Sequence, residues 1–480
     1  MPGSVTAGRE AYGRRAWRDA YDHLAAAGRE DRLGSDDLER LATAAYLIGA
    51  ADAADRWVAA HDRCLRDGDV ARAVRCAFWL AYGLLDRGEV GRAGGWLAKA
   101  ADLLEEHRVD DAERGYLIVP LAIEIADHHP ATALERFDTA RRVGERFADV
   151  GLITLGLLGQ GQTLISLGRW VDAVRSLDEA MVAVARDDVP PIVAGIVLCG
   201  AIDACRRLFD LRRTVEWTAA LTRWCDAQPD LVPFRGQCLV HRAEIMRLHG
   251  DWPDAMQEAD RACRLLSGRA AYGDALYETG ELHRLRGEWV QAEAAYRAAS
   301  RAGRDPQPGL ALLRLAQRDV DTAFAAIRRL RDPAARARML GPFVEIALPA
   351  GDLDGARDAS EEFGTLAEVM GTAYLDAAAG HAAGSVHLAE GDPRAALPPL
   401  RRAWMAWRAR GALPAARTRE LIGLACTALG DQEAGEMELD AARLGFQLLG
   451  AAADTTRVED MLASARDRVH GQKHDHGYGL

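Results

Sequence analysis

Apolar residues along this chain do not alternate with polar ones at every second position, and runs rich in Val, Ile, Thr and Tyr that would mark strands are hard to find. Ala, Leu and Arg, strong helix formers, fill long stretches that are broken at intervals by a Gly. The break has a recurring form: Gly168-Arg-Trp170-Val-Asp-Ala173, Gly250-Asp-Trp252-Pro-Asp-Ala255 and Gly287-Glu-Trp289-Val-Gln-Ala292 share Gly-x-aromatic-x-x-Ala. A looser Gly-x-x-x-x-Ala adds Gly49/Ala54, Gly88/Ala93, Gly351/Ala356, Gly391/Ala396 and, with the spacing shortened by one, Gly430/Ala434.

The gaps between these marks hide weaker ones. His128 with Ala133 and Phe209 with Thr214 split two gaps of about double length, and Arg15/Ala20 and Arg318/Ala323 fill the remaining places. The series 15, 49, 88, 128, 168, 209, 250, 287, 318, 351, 391 and 430 has steps between 31 and 41 residues, which predicts about twelve helix pairs. The mark has a physical meaning: a left-handed cap ends helix A, helix B follows at once, and the small residue lets the two helices approach closely. Self-similarity at such a period signals stacked units that each pack on their neighbours, which lets 480 residues form one array instead of several separate cores.

The mark resembles the tetratricopeptide repeat, whose second helix opens with Gly-x-aromatic-x-x-Ala. The resemblance implies an all-α solenoid, a superhelix of about twelve helix-turn-helix pairs with a concave groove lined by the first helices. The units here run longer than the family's typical length of about 34 residues. Arg301-Ala-Gly-Arg-Asp-Pro306-Gln-Pro308-Gly309 cannot be helical throughout, because proline clashes with the preceding turn, and the repeat spacing contracts there. That stretch predicts a hinge between an N-terminal helical lobe over 1–300 and a C-terminal lobe over 301–465, with a disordered tail over 466–480.

Composition narrows the function. Only 6% of residues are aromatic although 49% are hydrophobic, as expected for close-packed helices, and the net charge of −12 repels phosphate backbones, so no direct nucleic-acid partner is expected. The eight cysteines occur without a Cys-x-x-Cys pair and read as reduced, buried residues. The N-terminal segment shows no apolar signal core, and the apolar stretch 189–202 is shorter than the roughly 18 residues of a membrane span, so a cytoplasmic location is expected. No phosphate-binding glycine loop, nucleophile elbow or His-Glu-x-x-His helix occurs, so neither a cofactor nor catalysis is expected.

Whole phrases carry a closer likeness: Leu38-Glu-Arg-Leu-Ala-Thr-Ala-Ala-Tyr-Leu47, Arg75-Cys-Ala-Phe-Trp-Leu80, Pro191-Ile-Val-Ala-Gly-Ile-Val197, Trp224-Cys-Asp-Ala-Gln-Pro-Asp-Leu-Val-Pro233 and Gly236-Gln-Cys-Leu-Val-His-Arg-Ala-Glu-Ile-Met246. Over roughly residues 9–465 the chain resembles the helical sensor region of large actinobacterial LuxR-type transcriptional regulators. Such regulators continue into a DNA-binding helix-turn-helix. The residues after Leu462 are too few for that module, so the resemblance implies the signal-receiving or partner-docking half of a regulator.

Counting back from each mark places candidate groove residues on the first helices. Asp203 and Arg206 precede Phe209; Gln237, Glu244 and Arg247 precede Gly250; Asp274, Tyr277, Glu281 and Arg284 precede Gly287. Leu155, Leu158, Gln162 and Ile165 supply an apolar patch beside this charged stripe, a combination suited to a protein, a peptide or a partner helix, or to a small signal molecule. The alternative is an ordinary solvated face. His241 with Glu244 and Glu278 with Glu281, each three apart on neighbouring helices, also form a constellation that builds metal sites in bundles, so the alternative function is a metalloprotein or enzyme using this His/Glu cluster, with salt bridges to Arg242, Arg247 and Arg284 as the plainer reading and no metal expected. Cys238 beside His241 lacks an orienting third group and predicts packing, not a nucleophile.

Overall fold

The computed structural model describes residues 3–29, 33–228, 230–329, 336–408 and 411–475, without side chains for 3, 336–337 and 465–475. Among these residues every regular element is a helix, and the helices fall into pairs. The first pairs are α1 (Gly3–Gly13) with α2 (Trp17–Gly28), α3 (Ser35–Leu47) with α4 (Ala53–Arg66), and α5 (Val70–Asp86) with α6 (Val90–Glu106). Next come α7 (Glu113–Ile125) with α8 (Pro130–Arg146), α9 (Val150–Ser166) with α10 (Trp170–Ala185), and α11 (Pro191–Arg207) with α12 (Leu211–Asp226). Then follow α13 (Pro233–His249) with α14 (Trp252–Leu266), α15 (Tyr272–Arg286) with α16 (Trp289–Arg301), and α17 (Gly309–Ala316) with α18 (Val320–Arg328). The last are α19 (Arg336–Ala347) with α20 (Leu353–Met370), α21 (Ala373–Ala389) with α22 (Pro393–Trp407), and α23 (Ala412–Ala428) with α24 (Gln432–Leu449), before a single α25 (Ala452–Asp475).

The turns form where the repeat predicts. Eleven of the twelve marks have positive φ, including the non-glycines Arg15 (60°), Phe209 (52°) and Arg318 (65°). His128 is the exception: the His129 N–H bonds the Ile125 carbonyl at 2.8 Å, and Pro130 starts α8 with its φ already fixed. Behind several marks an Asp caps the second helix, as Asp392 does for the Ala395 N–H at 2.9 Å and Asp431 for Ala434 at 3.1 Å. The small residue five places after the mark is fully buried at Ala93, Ala173, Ala255, Ala292, Ala323, Ala356 and Ala396. Gly435 shows why size matters there, since a Cβ on it would lie 2.2 Å from Thr427 Oγ1.

The backbone packs into two compact units. The first comprises Met1–Leu208, Arg212–His241 and Arg261–Tyr272, and the second Phe209–Leu211, Arg242–Asp260 and Gly273–Leu480. The proline-containing stretch, expected as a boundary between lobes at 300/301, therefore lies inside the second unit. The tail expected to be disordered from 466 carries α25 on to Asp475; its last residues, 476–480, lie outside the described ones. No described helix is long and apolar enough to cross a membrane.

Each unit joins its early helices to its late ones. In the first, the Val232 N–H donates to the Leu47 carbonyl at 2.9 Å, the Ala270 N–H to the Asp86 carbonyl at 2.7 Å, and Trp17 Nε1 to Gln228 Oε1 at 2.9 Å. Arg269 adds an ion pair to Asp86 at 2.7 Å. In the second, Ala243, Trp252, Ala255, Ala259, Leu282 and Leu285 share one apolar core with Ala416, Leu439, Ala442, Phe446, Val458 and Leu462. Contacts between residues so distant in sequence are absent from an ideal solenoid, in which each unit meets only its neighbours.

Candidate functional site

Helical spacing builds the second unit's charged interior. Glu244 and Arg247 stand three apart on α13, and Asp274, Tyr277, Glu278, Glu281 and Arg284 lie at three- and four-residue steps on one face of α15. Arg247 Nε donates to Glu278 Oε1, with its Nη2 3.4 Å from Oε2 and 4.0 Å from Glu244 Oε1. Arg284 forks onto Glu281, Nη2 to Oε2 at 2.6 Å and Nε to Oε1 at 3.2 Å. The Tyr296 hydroxyl of α16 donates to the same Oε1. At the edge of this network, Arg304 donates from Nε to Asp274 Oδ1 at 2.8 Å and lays its guanidinium 4.7 Å from the Tyr277 ring centroid.

These groups are not a solvated stripe: Glu278 is 3% exposed and Glu281 6%. Burial raises the Glu278 carboxyl above its ordinary range, with Arg247 opposing the shift. Burial pushes Glu281 the same way, but the Arg284 charge and hydrogen bonds outweigh it and hold that carboxyl at about 2. The far side of the same unit supplies matching groups. Arg457 of α25 bonds Glu420 of α23 at 2.6 Å, and Arg417 of α23 lies 3.3 Å from Glu345 of α19 and 3.9 Å from Asp454 of α25. His381 of α21 places Nδ1 3.0 Å from Thr418 Oγ1, and burial lowers its pKa to about 4.

Of the eleven candidate site residues, Glu244, Arg247, Asp274, Tyr277, Glu278, Glu281 and Arg284 come together in the second unit. Asp203, Arg206, Gln237 and His241 belong to the first unit, where Arg206 Nη1 lies 3.4 Å from Asp203 Oδ1, Gln237 is half-buried and His241 is 6% exposed. The expected apolar patch is also not open: Leu155, Leu158 and Ile165 are buried, and Gln162 reaches the Gly200 carbonyl of α11 at 3.3 Å. His241, Tyr277, Glu278 and Glu281 are buried, whereas the side chains of Asp203 and Asp274 remain 51% and 49% exposed. The repeat offsets would have found the far side: Glu345 stands six before Gly351, His381 ten before Gly391, and Arg417 and Glu420 thirteen and ten before Gly430.

The interior is suited to recognition. Arg247 and Arg284 present planar forks that match a carboxylate, and each is already engaged by one from the chain itself. Glu278 and Glu281 are spent on those arginines and on Tyr296, which opposes a metal-ligand role. Among the described residues, a triad of one carboxylate and two thiol ligand atoms within 4.8 Å of one another occurs elsewhere, at Glu39, Cys64 and Cys76.

The molecule is an all-α, tetratricopeptide-like solenoid of helix pairs whose second unit encloses a paired charge network. No family model matches the chain, and no curated protein matches it. Among solved structures it is similar to a chain of the structure titled "Crystal structure of APC/C hetero-tetramer Cut9-Hcn1" at 13% identity and a TM-score of 0.44, covering 96% of this chain and 95% of that one. The fold assignment rests on this chain's own helices and caps.

Proposed function

We propose that this protein is a regulatory binding scaffold whose second unit receives a partner peptide, a partner helix or a small signal molecule on the inner faces of α13 and α15. The observation that carries this reading is the enclosed network of Arg247, Glu278, Glu281 and Arg284 where close-packed helices would ordinarily place Ala and Leu. Buried ion pairs contribute little net stability compared with apolar side chains of the same volume, and their best-attested uses are register and switching. A ligand carboxylate that takes over an arginine fork frees the chain's own glutamate and shifts the balance between a closed and a more open unit. The resemblance to LuxR-type sensor regions gives such a shift a regulatory meaning.

The test is affinity capture from native lysate, with mass spectrometry of proteins and small molecules, comparing wild type with Glu244→Gln and Glu281→Gln. A ligand retained by wild type, weakened by either variant, and protecting α13 and α15 from hydrogen exchange supports the proposal. Identical catches from all three proteins, or none, overturn it.

A further inference from the structure

The first unit brings two cysteines and a carboxylate together from three successive helices. Cys64 on α4 and Cys76 on α5 are 0% and 1% exposed, and Glu39 on α3 aims its carboxylate at them, with Oε1 3.7 Å from Cys64 Sγ. Their ligand atoms all lie within 4.8 Å of one another. A tetrahedral zinc ion holds sulfur at about 2.3 Å and carboxylate oxygen at about 2.0–2.2 Å, which sets sulfur and oxygen roughly 3.5 Å apart. The observed separation is close to that edge.

We propose that Glu39, Cys64 and Cys76 bind one thiophilic divalent cation of the zinc class. The two thiols coordinate as thiolates and release their protons to solvent, and Glu39 supplies the third ligand. Three protein ligands leave a fourth position open.

The surroundings suit this role. Arg72 donates from Nε to Glu39 Oε1 at 2.8 Å and pairs with Asp36 at 2.6 Å, so it orients the carboxylate and retains an anionic partner when Glu39 turns to a cation. The Glu39 side chain is 28% exposed, which gives an ion a route to two otherwise sealed thiols. A divalent cation offsets two of the three negative charges of the two thiolates and the Glu39 carboxylate, and Arg72, shared with Asp36, lies against the third. A second thiol pair supplies an internal control. Cys225 on α12 and Cys238 on α13 are also buried and cross between helix pairs in the same way, but the neighbour of Cys238 is the Thr222 hydroxyl at 3.4 Å. Packing and hydrogen bonding to this hydroxyl account for that pair.

The experiment uses the full chain, purified without a tag under reducing conditions and titrated with Cd²⁺, whose ultraviolet sulfur-to-metal charge-transfer band reports thiolate ligation and ignores histidine-only binding. One equivalent should produce the band. Cys76→Ser should abolish it, Glu39→Gln should weaken binding at least tenfold, and Cys238→Ser should leave it unchanged. Zn²⁺ should displace Cd²⁺ and raise the melting temperature of wild type but not of Cys76→Ser. Absence of the band overturns the proposal, as does its survival in Cys76→Ser or equal loss in Cys238→Ser. Circular dichroism checks that each variant is folded. If Cys76→Ser is not, Glu39→Gln decides, and unaltered affinity in that variant refutes the site.

Discussion

At the scale of single residues, the second unit's arginines and carboxylates are held more by one another than by solvent. Removing one partner strands a charge in a poorly hydrated interior. Arg247→Met is therefore expected to cost about 3–5 kcal/mol in chemical denaturation, whereas Arg247→Met with Glu278→Met should recover most of that loss. His381 gives a pH signature. The Thr418 hydroxyl donates to the Pro414 carbonyl at 2.7 Å, so it accepts from His381 Nδ1–H, and the half-buried imidazole is neutral. Its folded pKa of about 4 lies below the ordinary 6.5, so its contribution is complete above pH 6.5 and is lost as pH falls toward 4, amounting to at most about 3 kcal/mol. Glu281 contributes in the same sense at lower pH, between its ordinary 4.5 and about 2, while the raised Glu278 acts in the opposite sense. Burial also lowers the His61 pKa, so the readout is a difference: His381→Gln should flatten the fall in stability between pH 6.5 and 4 relative to wild type.

At the scale of elements, the left-handed caps divide the repeat from its surroundings. Arg318 turns α17 into α18 at φ 65°, where a side chain is strained, while Gly351 makes the equivalent turn at φ 80° without that cost. Arg318→Gly should raise the denaturation midpoint by up to about 1 kcal/mol equivalent, and Gly351→Ala should lower it by a similar amount. Gly309 reports on the contact between α17 and α15. A Cβ there would stand 2.2 Å from Glu281 Oε1 and 2.6 Å from the Tyr296 hydroxyl, so Gly309→Ala should cost about 1–3 kcal/mol and break the Tyr296–Glu281 hydrogen bond. A tyrosine absorbance titration of that variant should show one tyrosine ionising closer to its ordinary range than in wild type.

At the scale of the whole molecule, an ideal solenoid passes damage only to adjacent units. The second unit should behave differently, because Phe446 of α24 is fully buried in one core with Trp252, Ala255 and Ala259 of α14. Phe446→Ala should cost about 3–5 kcal/mol and speed hydrogen exchange in α14 and α15 as well as in α23–α25. Faster exchange confined to α23–α25 would show that the early and late helices are not coupled.

The chain's periodicity determined the helix-pair architecture, because caps, small contact residues and Asp N-caps are local rules that operate within a few residues of each mark. Even Arg15, Phe209 and Arg318, which lack the glycine, adopt the left-handed turn that their place in the series requires. The same offsets identified Arg247, Glu281 and Arg284 as inner-face residues. Their burial and their partners were not legible, since exposure depends on helices such as α23–α25 that lie far along the sequence. Glu39, Cys64 and Cys76 show the limit most plainly: their spacings of 25 and 12 residues form no motif, and only the packing of three helices brings the side chains together. Helix formation and pairing follow from short-range rules written in consecutive residues, whereas closure of each unit, and the chemistry it encloses, depends on contacts between distant residues that a local pattern does not encode.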